Sequence, residues 1–518
     1  MSVPGPLRPA IVVCCCLAVA AIYLLRLDHV AGLVVDDAWY ILLARSIAQG
    51  TGYGLINSPE PGLLLPPNPP GFALLLSLVF AVQSSFPANV IPLKLVSVVS
   101  MFALGVLCYR YGSSRGLPRP LAVALAFAVV ITPAFVFLAT STVMSECVFA
   151  LTQLAAVLTL DRSVETSSQP RAFGAGLLAG AALLIRTAGL PIPVGGLIYL
   201  LWRRRWRQAA VFAAAVVLCS TPWWIYSRVH APTQAQREAH GGAHAFTYGS
   251  EFWMRWAGQP SLGIVTWRDL PARIRDGMVD VFGRDVAGIM MPTLYRGAFE
   301  SGEEVISVGG GLFPASMGSA PGTMVASALL SLVALVGFAA LIRRQDITAA
   351  EVVVPLSIGL IVAWPQWAFR FVLPLAPFLY LYVVSGFRAL SPSPAVARIA
   401  LFCIIGLNLA DHALYIVQSR SAALDWAADA QEVDAVFAWM ATHATEPGHV
   451  ATSNPPLVYL RTGRRTVAID DVEDNWRRWK QHGVRYLVCL RPSELPSAQV
   501  RYTLLYRSAR QGLWIVAI

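Results

Sequence analysis

Long stretches of this 518-residue chain carry almost no charged side chains. Most of them are close to the length of roughly 17 to 25 residues that a helix needs to cross a lipid bilayer. Only 13% of all residues are charged and 56% are hydrophobic, whereas soluble domains carry about 25% charged residues. The sequence therefore predicts a polytopic α-helical membrane protein with about eleven transmembrane helices. The predicted spans are 9–27, 89–109, 119–138, 142–160, 172–187, 188–202, 209–226, 323–342, 351–368, 371–387 and 398–417.

The arginines cluster in the short connections between these segments. The net charge of +10 therefore reflects membrane topology, and no nucleic-acid partner is expected. Positively charged connections stay on the cytoplasmic side of a membrane. Every cluster falls on one side in this count, so we expect that side to be the cytoplasm. The clusters are Arg110, Arg115 and Arg119; Arg162 and Arg171; Arg203, Arg204, Arg205 and Arg207; Arg343 and Arg344; Arg388 and Arg398.

The apolar segment Gly71 to Val82 decides this direction. Counting it as a span would move every arginine cluster to the opposite face, and about twelve residues suit an interfacial helix better than a span. We therefore interpret it as interfacial. The domain prediction is then a transmembrane part over 1–417, with outer loops at 28–88 and 227–322, and a small extracytoplasmic domain over 418–518.

The N-terminal segment 1–27 has two interpretations. Arg8 precedes an apolar stretch, which is typical of a secretion signal, and Ala18-Val19-Ala20 offers a poor cleavage site. The alternative is a first helix that is retained in the mature protein, and we adopt it.

The C-terminal segment changes character and predicts a small α/β domain. An amphipathic helix is expected around Glu432 to Thr442, and the sequence WRRWKQHG ends as a helix does, with Gly483 after the last turn. Short strands are expected at His449 to Ala451 and in the sequences RTVAI, VRYLVCL and LWIVAI.

Two adjacent carboxylates, Asp36 and Asp37, follow the first predicted span. They begin an amphipathic helix on which Trp39, Leu42 and Leu43 share one face, so we expect the helix to lie flat in the membrane interface. The structural explanation is that Asp36 caps the helix and Asp37 complements its dipole, each favourable by up to about 1 kcal/mol. Capping does not require two carboxylates at a membrane surface, so we interpret the pair as catalytic.

Arg186 interrupts an otherwise apolar run. An ionisable group at such a position costs a few kcal/mol on insertion scales and is by default a functional hypothesis. Arginine stays charged and binds phosphate oxygens through two donors, which suits a lipid phosphate. The alternative is that Arg186 marks a helix end and extends to the interface.

Three further charged residues are candidates for substrate binding. Arg370 begins a late span and is explained almost as well as an interfacial anchor. Glu146, near an outer interface, could orient the acceptor or pair with an arginine. Lys94, inside the second span, could approach a lipid phosphate, and a structural ion pair is the alternative.

Several of these motifs resemble the lipid-linked-sugar glycosyltransferases of the GT-C superfamily, which includes protein O-mannosyltransferases and aminoarabinose transferases. The acidic pair in VVDDAWY, the proline-rich entry LLPPNPPGFALLLSLVF and the acidic residue in STVMSECVFALTQL carry the resemblance, together with the arginines in LLAGAALLIRTAGL and RFVLPLAPF. The resemblance covers most of the chain in layout. Members commonly have Asp-Glu at the first motif, where this chain has Asp-Asp, so the catalytic role falls first on Asp36 and only second on Asp37.

The resemblance implies an inverting glycosyltransferase with a GT-C-like fold. Its donor would be a polyprenyl-phosphate-linked sugar, and its acceptor a protein, lipid or glycan at the outer face of the cell's inner membrane. A single base is enough, and Asp36 would accept the proton of the acceptor hydroxyl. The adjacent aspartates could also hold a divalent cation, although arginines can neutralise a phosphate without one.

Two other classes of protein share some of these features. Charges inside the membrane and helices interrupted by proline or glycine also occur in secondary transporters and lipid flippases. Such transporters often carry paired internal repeats, and none is visible in this sequence. In a noncatalytic assembly subunit, the third alternative, the acidic pair would be incidental.

Overall fold

The computed structural model describes most of the chain and divides it into two compact units. The first unit contains Met1–Asp28, Lys94–Trp223 and Asp269–Arg420, and the second contains His29–Leu93, Trp224–Arg268 and Ser421–Ile518. The described residues are 9–33, 36–59, 64–240, 246–291, 321–344, 347–366, 369–420, 425–469, 475–490, 494, 502–508 and 513–518.

Long apolar helices make up most of the first unit, as the sequence predicts. Every predicted span coincides with a helix or with a pair of consecutive helices. The α-helices are Pro9–Arg26, Val90–Ser114, Arg119–Val130, Pro133–Thr140, Glu146–Glu165, Gln169–Ile185, Pro191–Trp202, Trp206–Val229, Leu270–Asp280, Val286–Met290, Pro321–Arg343, Ala350–Ala363, Phe369–Val372, Ala376–Leu390 and Pro394–Arg420. Two of them, Val90–Ser114 and Trp206–Val229, continue into the second unit.

Six helices of the described residues are long and apolar enough to cross a membrane, or seven if a bent pair is one span. That pair is Arg119–Val130 and Pro133–Thr140, which meet at 50°. The bend follows from Pro133, because proline lacks the N–H that would continue the preceding helix. Five shorter apolar helices accompany them, among them the helix Gly71–Val82. Eleven spans and the interfacial position of Gly71–Val82 stay predictions.

Glycines bring the helices of the first unit into close contact. A Cβ on Gly386 would overlap the backbone carbonyl of Val333, and a Cβ on Gly337 would overlap that of Tyr382. Gly176 faces Phe212 of a neighbouring helix in the same way. Small residues at such positions let membrane helices approach closely, because no hydrophobic force drives them together in lipid.

Among its described residues, the second unit contains seven complete α-helices and a sheet. The α-helices are Asp37–Ala48, Gly71–Val82, Gln234–His240, Tyr248–Phe252, Asp425–His443, Pro455–Thr462 and Asn475–Gln481. The helix Asp37–Ala48 packs against Gly71–Val82 and Pro455–Thr462. It does not lie with one face exposed, as its amphipathic pattern suggests, because Tyr40 and Ala44 are buried as well as Leu42 and Leu43.

The sheet has five strands in the order β2-β1-β3-β5-β4. The strands are β1 His449–Thr452, β2 Thr466–Ala468, β3 Val484–Cys489, β4 Thr503–Arg507 and β5 Trp514–Ala517. β1 pairs in parallel with β2 and β3, whereas β5 pairs antiparallel with β3 and β4. Four of the strands are predicted by the sequence, and β4 is not. The domain boundaries at 417 and 418 stay a prediction.

Candidate functional site

A buried ionic cluster in the first unit joins three of the predicted site residues. Oε1 of Glu146 lies 2.8 Å from Nη1 of Arg186 and 3.0 Å from Nε of Arg370. The Glu146 side chain is completely buried, and those of Arg186 and Arg370 are 8% and 6% exposed. The structure therefore brings together an acid and two bases that are far apart in the sequence.

Helix ends position Glu146 and Arg186. Glu146 is the first residue of the helix Glu146–Glu165, where the helix dipole favours a negative charge. Arg186 directly follows the helix Gln169–Ile185 in extended backbone, and its Nη1 also donates to Oγ of Ser145 at 2.9 Å. Its guanidinium lies 5.5 Å from the ring centre of Phe371.

The charges of this cluster do not cancel. Two guanidinium groups carry +2 and one carboxylate carries −1, so a positive charge remains in a largely water-free place. Both arginines contact Oε1, and Glu146 Oε2 is buried with no hydrogen-bond partner among the described residues. Buried polar atoms normally have a partner, so the cluster offers both a positive charge for an anion and an acceptor for a hydroxyl group.

Lys94 lies in a different arrangement in the same unit. Its buried ammonium donates to Oδ1 of Asp28 at 2.6 Å and to the carbonyls of Asp28 and Thr140 at 2.8 Å each. The second carboxylate oxygen of Asp28 accepts a hydrogen bond from Ser141 at 2.7 Å. An ammonium has three donors, so this geometry favours the structural ion pair over a phosphate contact. A binding role for Lys94 stays a prediction.

The acidic pair belongs to the second unit, and its two members have different surroundings. Asp36 is partly buried and precedes the helix Asp37–Ala48, but its side chain makes no capping hydrogen bond. Asp37 is completely buried, and its Oδ2 accepts the backbone N–H of Gly32 at 2.8 Å. The structural alternative, in which Asp36 caps the helix, is therefore wrong, because its carboxylate makes no capping hydrogen bond.

Gly32 occupies a position that requires glycine. Its φ of +90° is unfavourable for residues with a side chain, and a Cβ there would lie 2.6 Å from Cδ1 of Leu457. Its carbonyl accepts a hydrogen bond from Nδ2 of Asn454 at 2.8 Å. The backbone that holds Asp37 is therefore itself held by the helix Pro455–Thr462.

Glu251, on the helix Tyr248–Phe252, is a third acidic residue near the pair. Burial and then the negative charge of Asp36 raise the pKa of Glu251 to about 7. A neighbouring negative charge disfavours the charged form of a carboxyl group. The second unit therefore places an acid that titrates near neutral pH beside the proposed base.

The sequence patterns do not identify Glu251, Gly32 and Asn454 as residues that surround the acidic pair. No charge pattern in the sequence links Glu251 to Asp36. The sequence Asn454-Pro455-Pro456 is typical of a turn, and asparagine before two prolines is also a helix start. That signal could have identified the N-cap, but not its contact with Gly32.

No group of three or more His, Cys, Asp or Glu side chains suited to a metal ion occurs among the described residues. A divalent cation held by Asp36 and Asp37 would need further ligands from a substrate or from water, because Ca²⁺ and Mg²⁺ take six or more oxygens.

The sequence and the fold both match known glycosyltransferases. Residues 67–255 match the model of Glycosyltransferase family 87, and no curated protein sequence matches the chain. The apo oligosaccharyltransferase of Archaeoglobus fulgidus is 15% identical over 93% of this chain and 69% of its own, with a TM-score of 0.55.

Two further solved structures are similar. The archaeal oligosaccharyltransferase AglB from the same organism, in complex with an inhibitory peptide and a dolichol-phosphate, is 14% identical with a TM-score of 0.53. It matches over 92% of this chain and 69% of its own. ArnT from Cupriavidus metallidurans, bound to undecaprenyl phosphate, is 12% identical over 99% of this chain and 98% of its own, with a TM-score of 0.47.

These matches agree with the resemblance seen in the motifs. The chain therefore has the fold of these polytopic membrane glycosyltransferases, and residues 67–255 match Glycosyltransferase family 87.

Proposed function

We propose that this GT-C membrane glycosyltransferase moves a sugar from a polyprenyl-phosphate donor to an acceptor hydroxyl at the extracytoplasmic face of the inner membrane. The hydroxyl oxygen attacks the anomeric carbon as the bond from that carbon to the phosphate oxygen breaks on the opposite side. The configuration of the sugar is therefore inverted. The hydroxyl proton passes to a protein base, and the polyprenyl phosphate leaves with the electron pair of the broken bond.

The observation that carries this proposal is the buried cluster of two arginines on one carboxylate. A leaving phosphate gains negative charge, and fixed cationic donors in a place without water stabilise developing charge strongly. Arg186 and Arg370 supply a net positive charge after pairing with Glu146. Oε2 of Glu146 can accept a hydrogen bond from a sugar or acceptor hydroxyl, which would orient it.

Asp36 is the proposed general base. Its carboxylate is partly buried and is not used in capping its helix, whereas the Asp37 carboxylate accepts a backbone N–H. These contacts support the order of roles given by the resemblance, with Asp36 as the base and Asp37 as a residue that supports the loop. A positioned general base contributes roughly 10²–10⁴-fold to a rate.

The lipid bound in one structurally similar protein supports the class of donor. The AglB structure contains dolichol-phosphate, a polyprenyl phosphate, together with a peptide inhibitor. We therefore propose a lipid-linked donor for this chain, with a protein, lipid or glycan as the acceptor.

Replacement of the base tests the reaction. We expect Asp36→Asn to lower sugar transfer by roughly 10²–10⁴-fold, because the amide cannot take the acceptor proton. Asp37→Asn keeps an oxygen that can accept from Gly32, so its activity should stay within about tenfold of the wild type. Transfer is measured in membranes that contain radiolabelled lipid-linked sugars. Full activity of Asp36→Asn would contradict the proposed base.

Replacement of the arginines tests the phosphate site in the same protein. Arg186→Gln and Arg370→Gln should weaken the binding of synthetic polyprenyl phosphate, measured by native mass spectrometry. Arg115→Gln is the matched control, because Arg115 forms an equally buried ion pair with Glu351 at 3.0 Å. Equal losses in all three variants would point to a general effect of breaking a buried ion pair and contradict the assignment.

A further inference from the structure

A chain of three hydrogen bonds runs through the second unit and ends on the acidic pair. Asn454 stands before the helix Pro455–Thr462, and its Oδ1 accepts the backbone N–H of Leu457 at 3.3 Å. Its Nδ2 donates to the carbonyl of Gly32 at 2.8 Å, and the N–H of Gly32 donates to Oδ2 of Asp37 at 2.8 Å. One side chain therefore both begins a helix and holds the residue that bonds to Asp37.

The surroundings of Gly32 leave this connection little freedom. The side chain of Leu457 is completely buried and lies where a Cβ of Gly32 would be, and Ala38 lies on another side of the same point at 3.6 Å. The φ of +90° excludes most other residues. The Gly32 peptide is therefore enclosed between the start of the helix Asp37–Ala48 and the helix Pro455–Thr462.

A second contact joins the same two helices. The guanidinium of Arg45 lies 5.9 Å from the ring centre of Tyr459, within the range of a cation–π contact. The helix with the acidic pair at its start is thus supported along its length by the helix that Asn454 begins.

We propose that Asn454 is a positioning residue for the acidic pair that contains the proposed base, acting through Gly32. This inference rests on the proposed function, since it assumes that Asp36 is the base and that Asp37 supports its loop. Asn454 holds the Gly32 carbonyl and the Gly32 N–H holds the Asp37 carboxylate, so the peptide groups on both sides of the Gly32 Cα are held. Asp36 is the adjacent residue in the chain, so its backbone is set by the same contact. The C-terminal segment thereby takes part in transfer without touching the sugar.

The variant Asn454→Ser isolates the contact with Gly32. Serine is as good an N-cap as asparagine, so the helix Pro455–Thr462 keeps its start, but its hydroxyl is too short to reach the Gly32 carbonyl. We expect kcat to fall by about tenfold, because small displacements of a catalytic group have effects of this order. KM for the lipid-linked sugar extracted from native membranes and the thermal unfolding temperature should stay unchanged.

Thr466→Val is the matched control. It removes two hydrogen bonds of the Thr466 hydroxyl: the one that Oγ1 accepts from Asn57 Nδ2 at 2.9 Å and the one that it donates to the carbonyl of Pro455 at 3.1 Å. These bonds join the same C-terminal segment to the same loop and to the start of the same helix, and neither of them involves Gly32 or the acidic pair. The substitution keeps the size of the side chain. We expect wild-type kcat, and equal losses in Thr466→Val and Asn454→Ser would overturn a specific positioning role.

A double-mutant cycle gives a second readout. In an Asp37→Ala background the Gly32 N–H has no carboxylate to hold, so Asn454→Ser should lower kcat no further. Independent, multiplicative losses would contradict the inference. Wild-type kcat in Asn454→Ser beside an inactive Asp36→Asn would overturn the positioning role and leave the proposed function intact, whereas full activity in Asp36→Asn would remove the function itself.

Discussion

The carboxylate of Asp36 affects the pKa of Glu251, which is far from it in the sequence. Burial is the larger cause that raises the pKa of Glu251 to about 7, and the carboxylate of Asp36 adds to it. Below about pH 4.5, the ordinary pKa of a glutamate, Glu251 is protonated in both the folded and the unfolded chain. Between that pH and about 7, the unfolded chain loses the proton first, so the folded state loses stability as the pH rises.

Glu251→Gln should remove this loss of stability. We expect wild type and variant to unfold at similar temperatures at pH 4.5, and the variant to be more stable at pH 8, because glutamine stays neutral. The measurement is thermal unfolding in detergent at both pH values. In an Asp36→Asn background the difference at pH 8 should be smaller, and the same difference at both pH values would contradict the raised pKa.

The sequence identifies individual charged residues of the candidate site but not their partners. Arg186 was identifiable because a charge inside an apolar run is costly. Its pairing with Glu146 was not identifiable, because several charged residues lie near the ends of spans. Only the fold determines which of them are in contact. The difference between Asp36 and Asp37 likewise depends on the direction of the Gly32 N–H, which no side-chain pattern encodes.

Among the elements, the contacts between glycines and neighbouring backbones set how closely the helices pack. Gly386→Leu in the helix Ala376–Leu390 should destabilise the protein by about 1–3 kcal/mol, the usual effect of overpacking, because its Cβ would overlap the carbonyl of Val333. Gly359→Leu in the helix Ala350–Ala363 is the control, since a Cβ there meets nothing within 4 Å. Thermal unfolding of both variants in detergent tests the difference, and similar losses would contradict the close approach.

Helices and strands with a regular apolar pattern were predictable from the sequence, including short strands such as β1 and β2, and two elements without such a pattern were not. Each predicted span coincides with helical structure because apolar length alone identifies it. The helix Pro455–Thr462 and strand β4 escaped prediction. The first is only eight residues long and begins with two prolines, and the exposed β4 has no alternating apolar face. The amphipathic pattern of the helix Asp37–Ala48 predicts one buried face. Its polar side is also in contact with other residues, for example Arg45 with Tyr459, and a local pattern does not reveal contacts with segments that are distant in sequence.

At the scale of the whole molecule, the direction of the chain through the membrane is the prediction on which the outer-face reaction depends. A reporter fused at Gly116 should report the cytoplasm, and one fused after Ala430 should report the outer side. The reason is that the arginine-rich connections fall together on one face when Gly71–Val82 does not cross. Alkaline phosphatase and fluorescent-protein fusions measure this, and the reverse result would contradict both the topology and the location of the reaction.

The ion pair between Lys94 and Asp28 has a consequence for how the protein is made. An ammonium at membrane depth costs a few kcal/mol on insertion scales, and Lys94 precedes Thr140 in the chain and is therefore synthesised before it. In the folded protein Asp28 gives Lys94 two acceptors and Thr140 gives another. We therefore expect Asp28, which follows the first helix, to stabilise the charge of Lys94 until the later helices supply the carbonyl of Thr140.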